Sequence, residues 1–324
     1  RKIKKLAKAT FNEKVLTEIG AFGGFYKPDF TGLKSPVLVS SSDSVGTKVK
    51  LAFMTDRHDT MGQDLVNHCV NDILVHGAMP LYFMDYIATG KLKPDTIAEM
   101  VAGLSQACRQ LGMPLLGGET AELPDLYQPG EYDLAGFIVG VVDEASIVNG
   151  STIKEGDVCL GLASNGLHTN GYTLARKVAF EIAGLKPDDH VPELASTIGQ
   201  ALMKIHRCYL PVVRPLLDKF DIHGMAHITG GGIPGNLNRI MPDGLGAEIS
   251  KSTWPVLPIF KFLQKQGNID PADIYRTFNM GIGYILVVDP ADEATITKEI
   301  EGMSEKVYRL GVVKSQTQPV TLVD

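Results

Sequence analysis

Apolar and polar positions along this chain switch repeatedly between a strand rhythm and a helix rhythm. Val37-Leu38-Val39-Ser40 is a β-rich run that ends at Asp43. From about Thr60 to His76 the spacing is helical: Leu65, Cys69 and Ile73 share one face, with Val66, Val70 and Leu74 beside them. Asp64, Asn67, His68, Asn71 and Asp72 form the opposite stripe. A strand follows over residues 81–89 and Gly90 stops it; Asp95 opens a second helix that ends near Leu111-Gly112. Leu115-Leu116 leads into Gly117-Gly118, read as a turn, and residues 132–142 form a long strand broken by Gly136 and Gly140. Asn149-Gly150-Ser151 is a strong turn signal before a new strand at residues 158–160. Beyond it, helices are expected near 172–183, 193–206 and 212–220, and a strand over 223–229 runs into Gly230-Gly231-Gly232. Later strands fall at 283–288 and 306–313, with a helix over 292–302 between them. The pattern predicts an α+β fold in two compact domains, 1–150 and 151–324, without internal repeats.

Composition narrows the function. A chain of 324 residues with 44% hydrophobic residues buries a large core, and that length suggests two domains. The net charge of -6 argues against nucleic acid as a partner, and the basic opening Arg1-Lys2-Ile3-Lys4-Lys5 reads as the solvated face of a helix. Cys69, Cys108, Cys159 and Cys208 lie far apart with no C-x-x-C pair, which points away from disulfides and metal clusters and toward a reducing cytoplasm. No apolar run is long enough to span a bilayer, and no membrane partner is expected. The chain opens on Arg1 rather than Met, which leaves room for a preceding segment.

The polar punctuation carries the chemistry. Asp43 ends a strand beside Ser44-Val45-Gly46-Thr47-Lys48. A carboxylate there is either a turn aspartate bonded to nearby amides or a ligand for Mg²⁺, which favours one or two carboxylates plus phosphate oxygens. Lys48 tilts the choice toward phosphate. Asn71-Asp72 lies in a helix with apolar flanks, where an aspartate either faces water or takes a metal or a partner. Gly117-Gly118-Glu119-Thr120 joins flexible backbone to an acidic group and suits close approach to phosphate, or is simply a turn whose glutamate faces water. No G-x-x-x-x-G-K-[ST] phosphate loop occurs, so a nucleotide would be held in another way. In the second half, Ser164-Asn165-Gly166-Leu167-His168-Thr169-Asn170-Gly171 is a loop of small donors leading into a helix, a setting that attracts anions. His168 is a candidate proton donor or phosphate ligand. Gly230-Gly231-Gly232-Ile233-Pro234-Gly235 fits G-x-G-x-x-G after a strand, but the helix it opens is too short for a parallel crossover. An anion-binding turn, suited to a sugar phosphate, is the better reading than a dinucleotide site.

These motifs, taken in order, resemble the phosphoribosylformylglycinamidine cyclo-ligases, or aminoimidazole ribonucleotide synthetases, of purine biosynthesis. The likeness runs through DSVGTK, GQDLVNHCVNDILVHGAMPLYFMDY, GGETAELP, YDLAGFIVGVV, SNGLHTNGY, HITGGG and YRTFNMGIG, nearly the whole chain. Ser44 stands where the family usually has Gly, and the family carries a further N-terminal segment thought to help cover ATP. The resemblance implies two α/β-layered domains, with N-terminal sheets pairing across a homodimer. It implies ATP-dependent cyclisation of formylglycinamidine ribonucleotide, giving ADP and phosphate. ATP and Mg²⁺ are the implied cofactors. Asp43, Asp72 and Glu119 are the implied metal ligands, and Gly46, Thr47, Lys48, Asn71, Gly117, Gly118 and Thr120 line the nucleotide. Ser164, Gly166, His168, Asn170, Gly230, Gly231 and Gly232 would meet the substrate, with His168, Lys48 and Asn170 closest to the chemistry. The strand at residues 81–89, with Tyr82, Phe83 and Tyr86, carries a large aromatic load for a strand facing only its own helix.

Rivals on the same scaffold are thiamine-monophosphate kinase, selenide water dikinase and the hydrogenase maturation dehydratase. This chain shows no reactive Cys in an N-terminal glycine loop and ends Thr321-Leu322-Val323-Asp324 rather than in cysteine. A catalytically silent nucleotide-binding subunit is the alternative from another class; the presence of Asp43, Asp72 and His168 counts against it.

Overall fold

In the computed structural model, which describes residues 2–316 and 320–324, the chain separates into two units. Residues 2–74 and 78–147 form the first; residues 75–77 and 148–324 the second. Arg1 of the basic opening lies outside the described residues.

The first unit contains α1 (Lys2–Lys8), β1 (Pro36–Ser44), α2 (Val49–Thr55), α3 (Asp59–Leu74), β2 (Met79–Thr89), α4 (Pro94–Gln110), β3 (Leu115–Glu122) and β4 (Tyr132–Asp143). Its sheet runs β1-β4-β2-β3, antiparallel except for the β2–β3 pair. Side chains alternate along β4: Tyr132, Leu134 and Ile138 are buried, whereas Asp133 and Phe137 are exposed. The α3 and α4 helices meet at glycines. A Cβ on Gly62 would strike the Met100 carbonyl, and one on Gly103 the Asp59 carbonyl. That close approach buries α3 on nearly every side, so Asp64, His68 and Asn71 are buried rather than a solvated stripe.

The glycine pair Gly117-Gly118 is not a turn. It lies inside β3, in register with Met84 and Asp85. Neither glycine has the positive φ that would call for glycine. A Cβ on Gly118 would collide with the Asp85 side chain and carbonyl, so packing explains the small residue.

The second unit contains β5 (Val158–Ala163), α5 (Tyr172–Arg176), β6 (His190–Val191), β7 (Ser196–Thr197), α6 (Ile198–Leu202), α7 (Leu210–Leu217), β8 (Ile222–His227) and α8 (Gly232–Leu237). It continues with β9 (Leu245–Ser250), α9 (Pro258–Gly267), α10 (Pro271–Thr277), β10 (Ile282–Val288), α11 (Glu293–Gly302), β11 (Val307–Ser315) and β12 (Val320–Val323). The main sheet runs β12-β9-β11-β5-β10-β8, and β10 is buried along its whole length. Two expected helices shorten. The helix from Tyr172 loosens into a π-helical stretch over Lys177–Ile182. The span 193–206 holds only α6, with a Thr197–Gln200 capping box at its start, because Pro192 and the left-handed Ala195 break the earlier part.

One feature of this sheet positions the chemistry. Both β5 and β8 pair antiparallel with β10, with Ala163 opposite Ile282 and His227 opposite Tyr284. Their C-terminal ends therefore emerge on the same side, and the loops that follow them start next to one another.

Candidate active site

In the first unit, β1 and α3 bring two carboxylates to one imidazole. His68 Nε2 lies 2.9 Å from Asp43 Oδ2 and 3.5 Å from Asp72 Oδ2. His68 and Asp72 are one helical turn apart, and Asp43 reaches them from the strand end. Burial works against a charged His68, but the Asp43 hydrogen bond and the Asp72, Asp43 and Asp64 charges outweigh it and raise its pKa. The Asp43 and Asp72 side chains keep 44% and 23% of their surface open, so an incoming cation can reach both. The adjoining turn is ordered: Ser44 Oγ accepts the Gly46 N–H at 3.3 Å, and Gly46 takes φ 57°. Gly46 and Thr47 are exposed beside the carboxylates. Asn71 is fully buried in α3.

Lys48 corrects the sequence reading. It is fully buried, with Nζ 2.9 Å from Asp64 Oδ1 and 2.8 Å from Asp64 Oδ2. Burial lowers its pKa and Asp64 opposes that shift. A lysine held this way is an internal counterion, not a phosphate ligand reaching into solvent.

Glu119 also stands apart from the other two carboxylates. Asp43, Gly136, Asp85 and Gly118 form one cross-strand row. Glu119 is one residue beyond that row's end, so it faces the opposite side of the sheet, three strand spacings or roughly 14 Å away. It lines a cavity of about 420 Å³ with Met84, Asp85, Tyr86, Gly118 and Phe137. The three acidic residues do not converge within one chain. Gly117 and Thr120 lie on the same remote strand. Asp85 is a buried carboxyl that sequence reading passed over, and burial raises its pKa to about 7.

In the second unit, the loops after β5 and β8 meet. A Cβ on Gly230 would lie 3.4 Å from Asn170 Oδ1. Asn279 fastens the first loop: Ser164 Oγ lies 2.9 Å from Asn279 Oδ1, Asn279 Nδ2 donates to the Gly166 carbonyl at 2.9 Å, and Asn279 Oδ1 accepts the Gly281 N–H at 2.9 Å. Asn236 fastens the second, its Nδ2 donating to the carbonyls of Thr229, Gly230 and Gly232 at 3.3, 3.3 and 2.8 Å. Gly230 and Gly231 are exposed, while Gly232 is buried against Tyr275. His168 is buried with φ 64°. Its ring stacks on His206 with centroids 4.1 Å apart, and His206 Nε2 lies 3.0 Å from His227 Nε2. His227 stands in the HITGGG motif; His206 has no motif around it, and no spacing in the sequence singles it out.

Comparison with known proteins covers both units. Residues 32–142 match the family model for the AIR synthase related protein N-terminal domain, and residues 154–324 match the model for its C-terminal domain. The phosphoribosylformylglycinamidine cyclo-ligase of Trichlorobacter lovleyi is 50% identical over 327 residues, covering 100% of this chain and 94% of that one. That of Syntrophotalea carbinolica is 51% identical over 316 residues, covering 98% and 90%. Among solved structures, thiamine-monophosphate kinase from Stenotrophomonas maltophilia superposes with a TM-score of 0.74 at 16% identity, covering 99% of this chain and 96% of that one. The hydrogenase maturation protein HypE in complex with ATP gives 0.68 at 19%, covering 98% and 88%. At such identities these two likenesses show the shared fold alone.

Proposed function

The chain belongs to the phosphoribosylformylglycinamidine cyclo-ligase family, and we propose that it closes an imidazole ring using ATP, converting formylglycinamidine ribonucleotide to aminoimidazole ribonucleotide in purine biosynthesis. The observation that carries this reading is the convergence of Asp43 and Asp72 on one point, in a chain that matches a cyclo-ligase over 100% of its own length and 94% of the relative's.

A formamide oxygen is a poor leaving group. In this reading it takes the γ-phosphoryl group of ATP, and ADP departs. The substrate's own nitrogen then attacks the activated carbon, phosphate carries the oxygen away, and a proton is released as the ring closes. Such chemistry is mostly positioning and charge neutralisation. Asp43 and Asp72 offer the hard oxygens that Mg²⁺ favours, and both converge on the point that His68 Nε2 reaches. When bound, Mg²⁺ would neutralise the phosphates of ATP. Exposed Gly46 and Thr47 offer backbone donors beside it. Asn71 lies buried in α3 next to Asp72.

The second unit is assigned to the substrate. Asn170 and the Gly230-Gly231 turn offer neutral donors for the ribose phosphate, and His168 and Ser164 shape the loop. Because the ring-closing attack is intramolecular, holding the two reacting ends together supplies much of the acceleration.

We also infer a homodimer formed on the outer face of the first unit's sheet. Phe137 pairs with Met84 on that face and both are exposed, as is Leu38 further along it, with Tyr82 and Tyr86 half-buried between. Glu119 and its cavity open on the same face, so Glu119 serves the assembled form in this reading. No helix among the described residues is long and apolar enough to cross a membrane, and Cys69, Cys108, Cys159 and Cys208 are free thiols, which fits a cytoplasmic setting.

The test is ADP release by the purified chain with and without formylglycinamidine ribonucleotide. Release that depends on that substrate, one ADP per imidazole formed, is expected. Substrate-independent hydrolysis, or transfer of phosphate to thiamine monophosphate instead, would rule the reading out.

A further inference from the structure

We propose that His206 is a positioning residue: it ties the two substrate loops of the second unit together and sets the plane in which His168 is presented. The proposal rests on the reading of those loops as the substrate side.

His206 is fully buried in the irregular segment between α6 and α7. With no helix or sheet to hold it, that segment is pinned on both sides of the histidine. The Tyr172 hydroxyl donates to the Leu202 carbonyl at 2.7 Å, and Asn165 Nδ2 to the Ile205 carbonyl at 2.9 Å. Arg207 Nη1 and the Tyr209 hydroxyl both donate to the Ala163 carbonyl, at 3.1 and 2.9 Å. Every one of these bonds joins the segment to β5, to the loop after it or to the helix that loop opens. The imidazole of His206 is thereby fixed under the loop that carries His168 and Asn170.

From there it contacts both loops. Its ring lies on His168 at 4.1 Å with 18° between planes. Its Nδ1 is 3.2 Å from Thr169 Oγ1 and its Nε2 is 3.0 Å from His227 Nε2. Thr169 belongs to the first substrate loop, and His227 ends the strand that leads into the second. One side chain therefore bridges both. A neutral imidazole donates from one nitrogen and accepts at the other, so the row Thr169–His206–His227 is satisfied with its protons ordered in a single direction.

The arrangement answers a need at His168. Its φ of 64° lies in the left-handed region, which a residue other than glycine holds only when its surroundings impose it. On another side Gly283 leaves no spare room: a Cβ there would lie 2.5 Å from His168 Cε1 and would collide with the Tyr209 hydroxyl. The His206 ring stacks on His168, at 4.1 Å between centroids. Removing its hydrogen bonds loosens the coupling between loops; removing its ring frees His168 to tilt.

Two variants of the full chain separate these roles. His206→Phe keeps a flat ring but no hydrogen bonds, and His206→Gln keeps a donor and an acceptor. We expect His206→Phe to raise the KM for formylglycinamidine ribonucleotide about tenfold, the weight of one buried hydrogen bond, with the KM for ATP changed less than about twofold. His206→Gln, which restores hydrogen bonds but not the ring, should recover only part of that loss. In ¹⁵N-labelled wild-type protein, a scalar coupling between the Nε2 atoms of His206 and His227 should report the shared proton. An unchanged substrate KM in a folded His206→Phe enzyme, equal rises in both KM values, or absence of the coupling would each overturn the proposal. Wild-type protein that makes no product from this substrate would instead overturn the functional reading, while the coupling would still decide whether His206 holds His227.

Discussion

In the proposed function the two units would hold anions in opposite ways. The first sets charge against charge: Asp43 and Asp72 face His68, whose pKa their charges raise, and one layer deeper Lys48 and Asp64 neutralise one another out of contact with water. The second works with neutral groups. Glycine backbone, the amides of Asn170, Asn236 and Asn279, and a row of imidazoles meet where β5 and β8 end. The difference follows from the cargo each is assigned. A metal-bound triphosphate concentrates charge and needs carboxylates with counterions behind them. A single ribose phosphate is held well by oriented neutral donors, without the desolvation that buried charge demands. The first unit should therefore be sensitive to charge removal and the second to shape.

The largest expected effect is at Lys48. Lys48→Met leaves Asp64 as an uncompensated buried charge, so urea unfolding should show a loss of about 3–5 kcal/mol. Adding Asp64→Leu should restore most of it, because the buried pair and an apolar pair of similar volume are close in energy. An unaltered melt with only a raised KM for ATP would return Lys48 to the phosphate site.

Next come the metal carboxylates. Asp43→Asn and Asp72→Asn each remove one anionic ligand at constant size, and kcat/KM for Mg-ATP should fall about 100-fold in each, with little change in the thermal midpoint. By contrast, Asn170→Ala should raise the substrate KM about tenfold and leave the KM for ATP alone. Full activity of Asp72→Asn at limiting Mg²⁺ would remove it from the metal site.

Asp85 sharpens the charge side of the comparison through pH. Its folded pKa is raised from 3.8 to about 7 by burial, so the folded state holds a proton that the unfolded state has lost. The contribution of Asp85 to stability, read as wild type minus Asp85→Asn, should then be fullest below pH 4, fall as pH rises from about 4 to about 7, and level off above, the total loss reaching about 4 kcal/mol. Asp85→Asn should flatten that slope and be the more stable protein at pH 8. A wild-type profile that rises across the same window, with the variant parallel to it, would contradict the assignment.

The smallest effect belongs to Gly231. At φ 99° an added Cβ is strained by about 1 kcal/mol, although its nearest neighbour, Gly235, is 3.5 Å away. Gly231→Ala should raise the substrate KM several-fold with the fold intact, and an unchanged KM would place the phosphate nearer His168.

These contrasts also explain what was legible in the sequence. Strands and long helices followed their periodicity closely, and the loops carrying His168 and Gly230 were visible because small residues cluster there. Periodicity alone does not say that a polar stripe is buried. The glycines at 62 and 103 let two helices close over Asp64 and His68, and Lys48 is buried against Asp64 instead of standing open to solvent. Gly117-Gly118 misled for a related reason: glycine was needed for contact with Asp85, not for a turn. Glu119 sits close to the other acidic residues in motif order but is three strands away because β4 and β2 are inserted between β1 and β3. His206 lay in a span read as helix, and only the pairing of β5 and β8 with one strand brings it to the site.

The most direct measurement follows one oxygen atom. Formylglycinamidine ribonucleotide labelled with ¹⁸O in its formyl group should yield phosphate carrying that label, one atom for each ring closed, because the formyl oxygen becomes the bridge to phosphorus and leaves with it. Phosphate free of label, with the ¹⁸O found in water, would mean that ATP is hydrolysed without activating that oxygen, and the account of the reaction would be wrong.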